Sequence, residues 1–230
     1  MLGILYLILC FSLGWVICSY GYPDLAQITK SSYNKQKIHF SPYLLLFPVW
    51  FILGSLAMTW ATYIAAYLFA GREEPLLYAN GIIMPLTAII ITAYIITLNY
   101  SGRLSANVVA TDNSRKAGTR ISLLSDDKRV RNIELILLLG ITALAFILMW
   151  KTFFVKEGEL YVGISVFSDF SPHVGMIRSF SYGNNFPTTY SHYAGTDIKY
   201  HFMFQFLVGN LEYLGLRIDY AFNIPSILSF

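Results

Sequence analysis

The sequence predicts an all-α fold: a polytopic transmembrane helix bundle with an extracytoplasmic loop that carries a short amphipathic interface helix. The first observation is composition, since 56% of the residues are hydrophobic and only 13% are charged. Soluble domains contain about 45–50% apolar and about 25% charged residues. The second is a mean hydropathy of +0.54. The third is that four apolar runs before residue 155 each reach the roughly 20 residues that a helix needs to cross a bilayer.

The four apolar runs define the predicted spans in chain order. They cover about 2–20, 43–70, 77–100 and 135–154. The first run has no basic segment ahead of it and no small-residue cleavage site after it, so we predict a retained span rather than a signal peptide. Residues 1–154 are therefore predicted to form an N-terminal membrane bundle.

Basic residues orient the predicted spans, because Lys and Arg in short loops are retained on the cytoplasmic side. Segment 101–133 is rich in such residues and is predicted to be a cytoplasmic, partly ordered linker. Its basic residues are Arg103, Arg115, Lys116, Arg120, Lys128, Arg129 and Arg131. Alternation of the spans then places the loop with Lys30, Lys35 and Lys37 inside, and the N-terminus and residues 155–199 outside.

The net charge of +3 is dominated by this linker and therefore indicates topology. Nucleic-acid binding would need a concentrated basic face with a recognition module, and none is visible. The lipid bilayer is the expected partner, in the cytoplasmic membrane of a bacterium or archaeon. No residue pattern indicates an oligomeric state.

The chain changes character after the fourth span. Residues 159–167 are apolar and rich in β-branched and aromatic side chains, which favours an extended lead-in. Ser171 and Pro172 are suited to the N-cap and the first position of a helix, and Gly183 to its end. That helix is short and amphipathic, which is typical of a helix at the membrane surface.

Apolar residues return at 200–216, which predicts a fifth span, and a sixth apolar segment begins near Tyr220. Polar residues on the fifth span are predicted to face protein rather than lipid. They are Gln205, Asn210 and Glu212. The 11 residues from Tyr220 onward are too few to cross a bilayer, so we expect the sequence to be an N-terminal fragment of a longer protein.

Two Asp/His pairs at i, i+4 spacing stand in the outward-facing segment: Asp169 with His173, and Asp197 with His201. Ionisable groups beside lipid are costly, which makes function the default hypothesis. A positioned carboxylate can take the proton of an attacking hydroxyl group, so Asp169 and Asp197 are predicted to be catalytic. Carboxylate and imidazole together suit several metals, and Asp169 with His173 are the candidate ligands of a divalent metal cofactor.

Four further assignments concern a substrate that carries phosphate. Arg178 presents a planar fork of donors that matches phosphate oxygens, and Lys199 is a second cation. His173 and His201 can donate hydrogen bonds to the same group. These four residues are predicted to bind substrate.

The order of residues in this segment resembles the first large external loop of the C-type glycosyltransferase superfamily. The features that match are an Asp-x-x-x-His step into a helix at Asp169, the stretch 178–187 that ends in Asn-Phe-Pro, and Gly-x-Asp-x-x-Tyr-His at 195–201 leading into a span. The resemblance covers about residues 155–230, and here four predicted spans precede the loop instead of the usual one. It implies a polytopic enzyme that uses a sugar linked to polyprenyl phosphate. Asp169 matches the family's catalytic carboxylate, which acts as general base or metal ligand.

The resemblance leads to the predicted function. The chain is predicted to be a membrane glycosyltransferase that moves a sugar from a polyprenyl-phosphate-linked donor to an acceptor outside the cytoplasmic membrane. A transporter, or a non-catalytic membrane protein of a cell-envelope polymer export assembly, is the alternative. The export partner would tolerate Asp169→Asn, whereas the enzyme would lose turnover.

Five of the six predicted site residues also have a structural interpretation. Asp169 can cap its helix, and Asp197 follows Gly and Thr in a pattern that suits an Asx turn. His173 can make an ordinary polar contact, and His201 can lie at the mouth of a span. Arg178 can neutralise lipid headgroups instead of a substrate phosphate.

Overall fold

The computed structural model of the chain describes residues 2–21, 43–109, 128–193 and 195–229. The loop with the three predicted cytoplasmic lysines lies outside the described residues. So does the central part of the basic segment, residues 110–127.

Four long helices dominate the described part of the chain: α1 (Leu2–Gly21), α2 (Tyr43–Leu68), α3 (Pro75–Val109) and α4 (Lys128–Thr152). Each contains a stretch that is long and apolar enough to cross a membrane. The four predicted membrane-spanning helices are therefore confirmed by length and composition, and the chain is an apolar, mostly helical protein suited to a bilayer. The segment predicted as a linker at 101–133 is shorter than expected, because α3 continues to Val109 and α4 begins at Lys128.

Helices α1 and α2 make the closest helix contact of the described bundle. A Cβ atom added at Gly14 would overlap the carbonyl oxygen of Trp50, and one added at Gly54 would overlap the carbonyl oxygen of Cys10. Small residues allow such backbone approach, which drives helix association where lipid offers no hydrophobic gain. Both cysteines of the chain, Cys10 and Cys18, are free and buried on α1.

A two-stranded antiparallel hairpin follows α4, formed by β1 (Phe153–Lys156) and β2 (Glu159–Val162). Its two-residue turn is Glu157-Gly158, with φ values of 55° and 86°, as hairpin turns of the primed types require. The helical fold therefore contains one small sheet. The predicted extended segment 159–167 is extended only to Val162, and a 3₁₀ turn over Ile164–Val166 follows.

Helix α5 (Phe167–Ser181) begins five residues before Pro172, the predicted first helical position. Ser171 is consequently inside the helix and is not its N-cap, which is a correction to the sequence prediction. Pro172 is also interior, where it removes one backbone hydrogen bond near the helix start. Asp169 therefore lies in the first turn of α5 instead of ahead of it.

The segment predicted as a fifth span contains the short helix α6 (Met203–Tyr213). Its 11 residues extend roughly 16 Å, about half of the hydrocarbon thickness. The chain then turns at Gly215, where φ is 89°, and continues into α7 (Ile218–Leu228). This corrects the prediction of one span over 200–216.

Helix α6 lies across one end of the bundle. The ring of Phe206 packs on Tyr63 of α2, with centroids 5.2 Å apart, and Asn210 exchanges hydrogen bonds with Asn80 of α3. Just past α6, the carbonyl of Leu214 accepts a hydrogen bond from the amide of Gly3 at the start of α1. Since these partners lie within two or three turns of the ends of three different spans, α6 covers the bundle end.

Candidate functional site

Helices α5 and α6 pack side by side in parallel, and α5 carries three of the six predicted site residues, Asp169, His173 and Arg178. The pairs that meet are His173 with Gln205, the carbonyl of Ile177 with Gly209, and Ser181 with Glu212. A Cβ at Gly209 would lie 2.6 Å from that carbonyl oxygen, so glycine sets the separation of the two helices. The apolar stripe predicted for the α5 helix faces protein, because Met176, Ile177 and Phe180 are buried.

Asp169 is exposed in the first turn of α5. A carboxylate at this position is stabilised by the partial positive charge of the helix N-terminus. Within the part of the chain that the structure describes, its carboxylate makes no hydrogen bond or ion pair. It is therefore accessible to a substrate, as a proton acceptor requires.

His173 lies one helical turn after Asp169 and is partly buried. Its Nδ1 atom is 2.7 Å from the side-chain amide of Gln205 on α6. Burial lowers the pKa of His173, the nearby His201 lowers it further, and the negative charge of Asp169 opposes both. The imidazole is therefore biased toward its neutral form.

His201 approaches the same place from the segment that leads into α6. It is exposed, and its ring lies 3.9 Å from that of Tyr200, which in turn is 5.9 Å from the ring of His173. The structure thus brings together three of the six predicted site residues. We call Asp169, His173 and His201 the histidine cluster.

Arg178 lies away from the histidine cluster. It follows Asp169 by nine residues, which corresponds to roughly 13 Å along the helix axis and half a turn around it. Its Nη2 atom is 3.6 Å from Oε1 of Glu212, and its guanidinium lies over the ring of Tyr182 at 5.8 Å. Arg178 therefore contacts Glu212 and Tyr182 at the end of α5 that lies opposite the histidine cluster.

Asp197 and Lys199 are exposed residues of the loop between α5 and α6. The backbone of Asp197 forms an isolated antiparallel bridge with Thr189, so this residue closes the loop upon itself. The structure gives neither side chain a contact with the histidine cluster. Their predicted roles in catalysis and substrate binding stay predictions.

The metal prediction rests on Asp169 and His173 alone. Within the described residues, no group of three or more His, Cys, Asp or Glu side chains is placed to hold a metal ion. Protein sites for Mg²⁺ often use one or two carboxylates and take their other ligands from water and phosphate. Asp169 could supply the carboxylate of such a substrate-shared ion, whereas the imidazole of His173 is not an oxygen ligand. The metal and both of its candidate ligands stay predictions.

A buried carboxylate at the end of the hairpin was not singled out from the sequence. Asp219 accepts two hydrogen bonds from Arg217, at 2.6 and 2.7 Å, and a third from the backbone amide of Val155 at 3.0 Å. Burial raises the pKa of Asp219, but these hydrogen bonds outweigh burial and hold it below its ordinary value. The i, i+2 spacing of Arg217 and Asp219 carries no signal for this contact, which fastens the hairpin to the start of α7.

The two other residues missed by sequence reasoning contact α5. Gln205 was noted only as a polar residue of a predicted span. His192 lies over Gly175, where an added Cβ would be 3.1 Å from its Cε1 atom. Both contacts depend on tertiary packing, which the spacing of residues along the chain does not predict.

Comparison with protein-family models, with curated proteins and with solved structures found no match for this chain.

Proposed function

We propose that the chain is a membrane glycosyltransferase. It transfers a sugar from a polyprenyl-phosphate-linked donor to an acceptor hydroxyl group on the extracytoplasmic side, and Asp169 is the general base. The observation that carries the proposal is the histidine cluster. It combines an exposed carboxylate at a helix N-terminus with two imidazoles, at the end of a bundle of apolar helices.

The chemistry of sugar transfer needs these groups. The acceptor hydroxyl must lose its proton as it attacks the anomeric carbon, and a carboxylate within reach can take it. The carboxylate of Asp169 is open to such a substrate. His173 and His201 supply polar contacts around it, and the leaving phosphate can bind through His201 or through a divalent ion.

The place of the cluster suits a donor with a lipid tail. The α5–α6 region contacts the turn between α2 and α3, since Asn184 donates to the carbonyl of Glu73 at 2.6 Å and Tyr213 donates to Glu74 at 3.2 Å. It also contacts the first turn of α1 through Gly3. All three segments are therefore at one end of the bundle. The charge rule predicts that the N-terminus and residues 155–199 are outside, and alternation of the spans predicts the same for the turn between α2 and α3. A lipid-linked sugar would meet the site at headgroup level.

The decisive experiment is Asp169→Asn in the full chain. Transfer from a polyprenyl-phosphate sugar to its acceptor is measured in proteoliposomes. We expect the rate to fall by about 10²–10⁴-fold, the usual contribution of a general base. Because Asp169 is exposed and makes no hydrogen bond among the described residues, folding and membrane insertion are expected to be unchanged.

Glu157→Gln is the matched control. Glu157 is an exposed acid of the hairpin turn, with 81% of its side chain accessible, and removing its charge should leave the rate unchanged. An Asp169→Asn variant with the wild-type rate would refute the proposal.

A further inference from the structure

Gln205 is a buried amide between the histidine cluster and the bundle. It is 4% exposed, and its side chain reaches His173 on one side and the backbone ahead of α6 on the other. A buried amide is costly unless its oxygen and nitrogen both find partners. The partners of Gln205 therefore determine which of its atoms faces the imidazole.

Only one orientation of the Gln205 amide satisfies every group around it. With Oε1 toward the ring, it accepts a hydrogen bond from Nδ1 of His173 at 2.7 Å, and Nε2 donates to the carbonyl oxygens of His201 and Phe202 at 3.2 and 3.3 Å. In the reverse orientation, Oε1 would face two carbonyl oxygens. Oxygen facing oxygen is repulsive, so the first orientation is favoured.

This orientation fixes the proton of the His173 ring. An imidazole that donates from Nδ1 and is neutral carries its lone pair on Nε2. We propose that Gln205 is a positioning residue, which holds His173 in the Nδ1-protonated tautomer so that Nε2 accepts a hydrogen bond from a second hydroxyl group of the acceptor, beside the one that loses its proton to Asp169. The role toward the acceptor rests on the proposed glycosyltransferase function.

The proposal changes the part that His173 plays. A neutral ring with its proton directed at Gln205 has no N–H left to offer a phosphate oxygen, whereas it can accept from a hydroxyl group. His173 therefore selects the acceptor and not the donor phosphate. This differs from the sequence prediction, in which His173 donates to phosphate or binds a metal.

The surroundings of the ring favour its neutral form. Among the described residues, the titratable groups that face it are Asp169 on α5, and Tyr200 and His201 from the segment before α6. Burial and His201 favour loss of the ring's charge, and Asp169 opposes them.

The tautomer is measured by nitrogen NMR on the full chain, labelled with ¹⁵N-histidine in lipid nanodiscs without substrate. The chain has four histidines, and the His173 signals are those that disappear in His173→Asn. We expect the wild type to show a protonated Nδ1 and an unprotonated Nε2. In Gln205→Leu, which removes the acceptor at similar size, the Nε2-protonated tautomer should become populated.

Asn210→Leu is the matched control, since it makes the same polar-to-apolar change at another buried position of α6. It should weaken folding without altering the His173 signals, which separates positioning from a general loss of stability. A wild-type ring protonated on Nε2, or Gln205→Leu signals equal to wild type, would overturn the proposal.

A kinetic measurement tests the role toward the acceptor. Loss of one hydrogen bond to the acceptor predicts that Gln205→Leu lowers kcat/KM for the acceptor about tenfold, with KM for the donor unchanged. A change confined to donor binding would contradict the acceptor role. If the tautomer is as expected and Asp169→Asn retains full transfer, the glycosyltransferase function fails while the tautomer assignment stands.

Discussion

Two helix pairs in this molecule approach closely through glycine, yet they differ in what surrounds the contact. The α1–α2 pair meets at Gly14 and Gly54, and the α5–α6 pair meets at Gly209. Between α1 and α2 the neighbouring contacts are compact, such as Cys10 with Met58 at 3.6 Å between sulfur atoms. Between α5 and α6, polar pairs lie on both sides of the glycine: His173 with Gln205, and Ser181 with Glu212.

The difference separates scaffold from candidate site. Close backbone contact is sufficient to hold two helices together in lipid. The α1–α2 pair therefore needs no charged side chain, and its side-chain contacts include the Cys10–Met58 pair and a hydrogen bond of 3.0 Å between the hydroxyl groups of Tyr6 and Thr62. Buried polar groups cost desolvation free energy and add little net stability. Their concentration between α5 and α6 therefore supports the proposal that this pair is organised for binding or chemistry.

The largest effect is expected where the scaffold pair is broken. In Gly54→Leu the new Cβ would overlap the carbonyl oxygen of Cys10, and backbone cannot give way as a side chain can. We expect a loss of about 3 kcal/mol or more in the free energy of unfolding, measured by thermal unfolding in detergent micelles. Gly140→Ala on α4 is the control, because its Cβ meets nothing within 4 Å and alanine favours helix. Equal melting temperatures for Gly54→Leu and wild type would show that the crossing is looser than described.

A smaller effect is expected at the contact that joins the α5–α6 pair to the bundle. Asn80 and Asn210 are both buried, with N–O distances of 2.6 and 3.2 Å between their amides. Asn80→Leu removes a partner of Asn210 and should cost about 1–2 kcal/mol. The double variant Asn80→Leu/Asn210→Leu should cost less than the sum of the two single changes, by about 1 kcal/mol. Strict additivity in a double-mutant cycle of unfolding free energies would rule out the contact.

The smallest effect on stability is expected at Glu212, where the free energy of unfolding should depend on pH. Burial raises the pKa of Glu212, while Ser181 and Arg178 act against it. A carboxyl group whose pKa is raised on folding binds its proton more tightly in the folded state, so its contribution to stability is lost as pH rises through the folded pKa. Glu212→Gln should remove the part of the pH-dependent loss of stability that comes from this group.

The change at neutral pH should stay below about 1 kcal/mol, because the paired Arg178 is half exposed and screened by solvent. The measurement is the melting temperature of Glu212→Gln and wild type between pH 4 and about 8, the range across which a raised carboxyl pKa titrates. If the melting temperatures of the two proteins changed with pH in parallel, the assignment of a raised pKa to Glu212 would be contradicted.

The four long helices were predictable because hydropathy over about 20 residues is a local property that needs no tertiary information. The same rule failed at 200–216, where an apolar count suited to a span hides a break at Gly215. The signal for that break was present. A glycine in the left-handed region after a helix is the usual C-terminal cap, and here the amide of Leu216 donates to the carbonyl of Leu211.

The site was predictable only as far as helix periodicity reaches. Spacing i, i+4 places Asp169 and His173 on one face of α5, and the same periodicity separates Arg178 from them. The approach of His201 and the contact of Gln205 depend on how the loop and α6 pack. No pattern along the chain encodes that packing.

The burial of both cysteines on α1 has a practical consequence. The chain's only thiols are enclosed within the helix bundle, so a maleimide reagent meets almost no background reaction on the native protein. A single cysteine introduced at an exposed loop position such as Tyr193 would then account for nearly all of the labelling. A reagent that does not cross lipid labels such a cysteine from one side of the membrane only. The side from which it reacts identifies the face of the membrane on which α5 lies, and neither native cysteine needs to be replaced first.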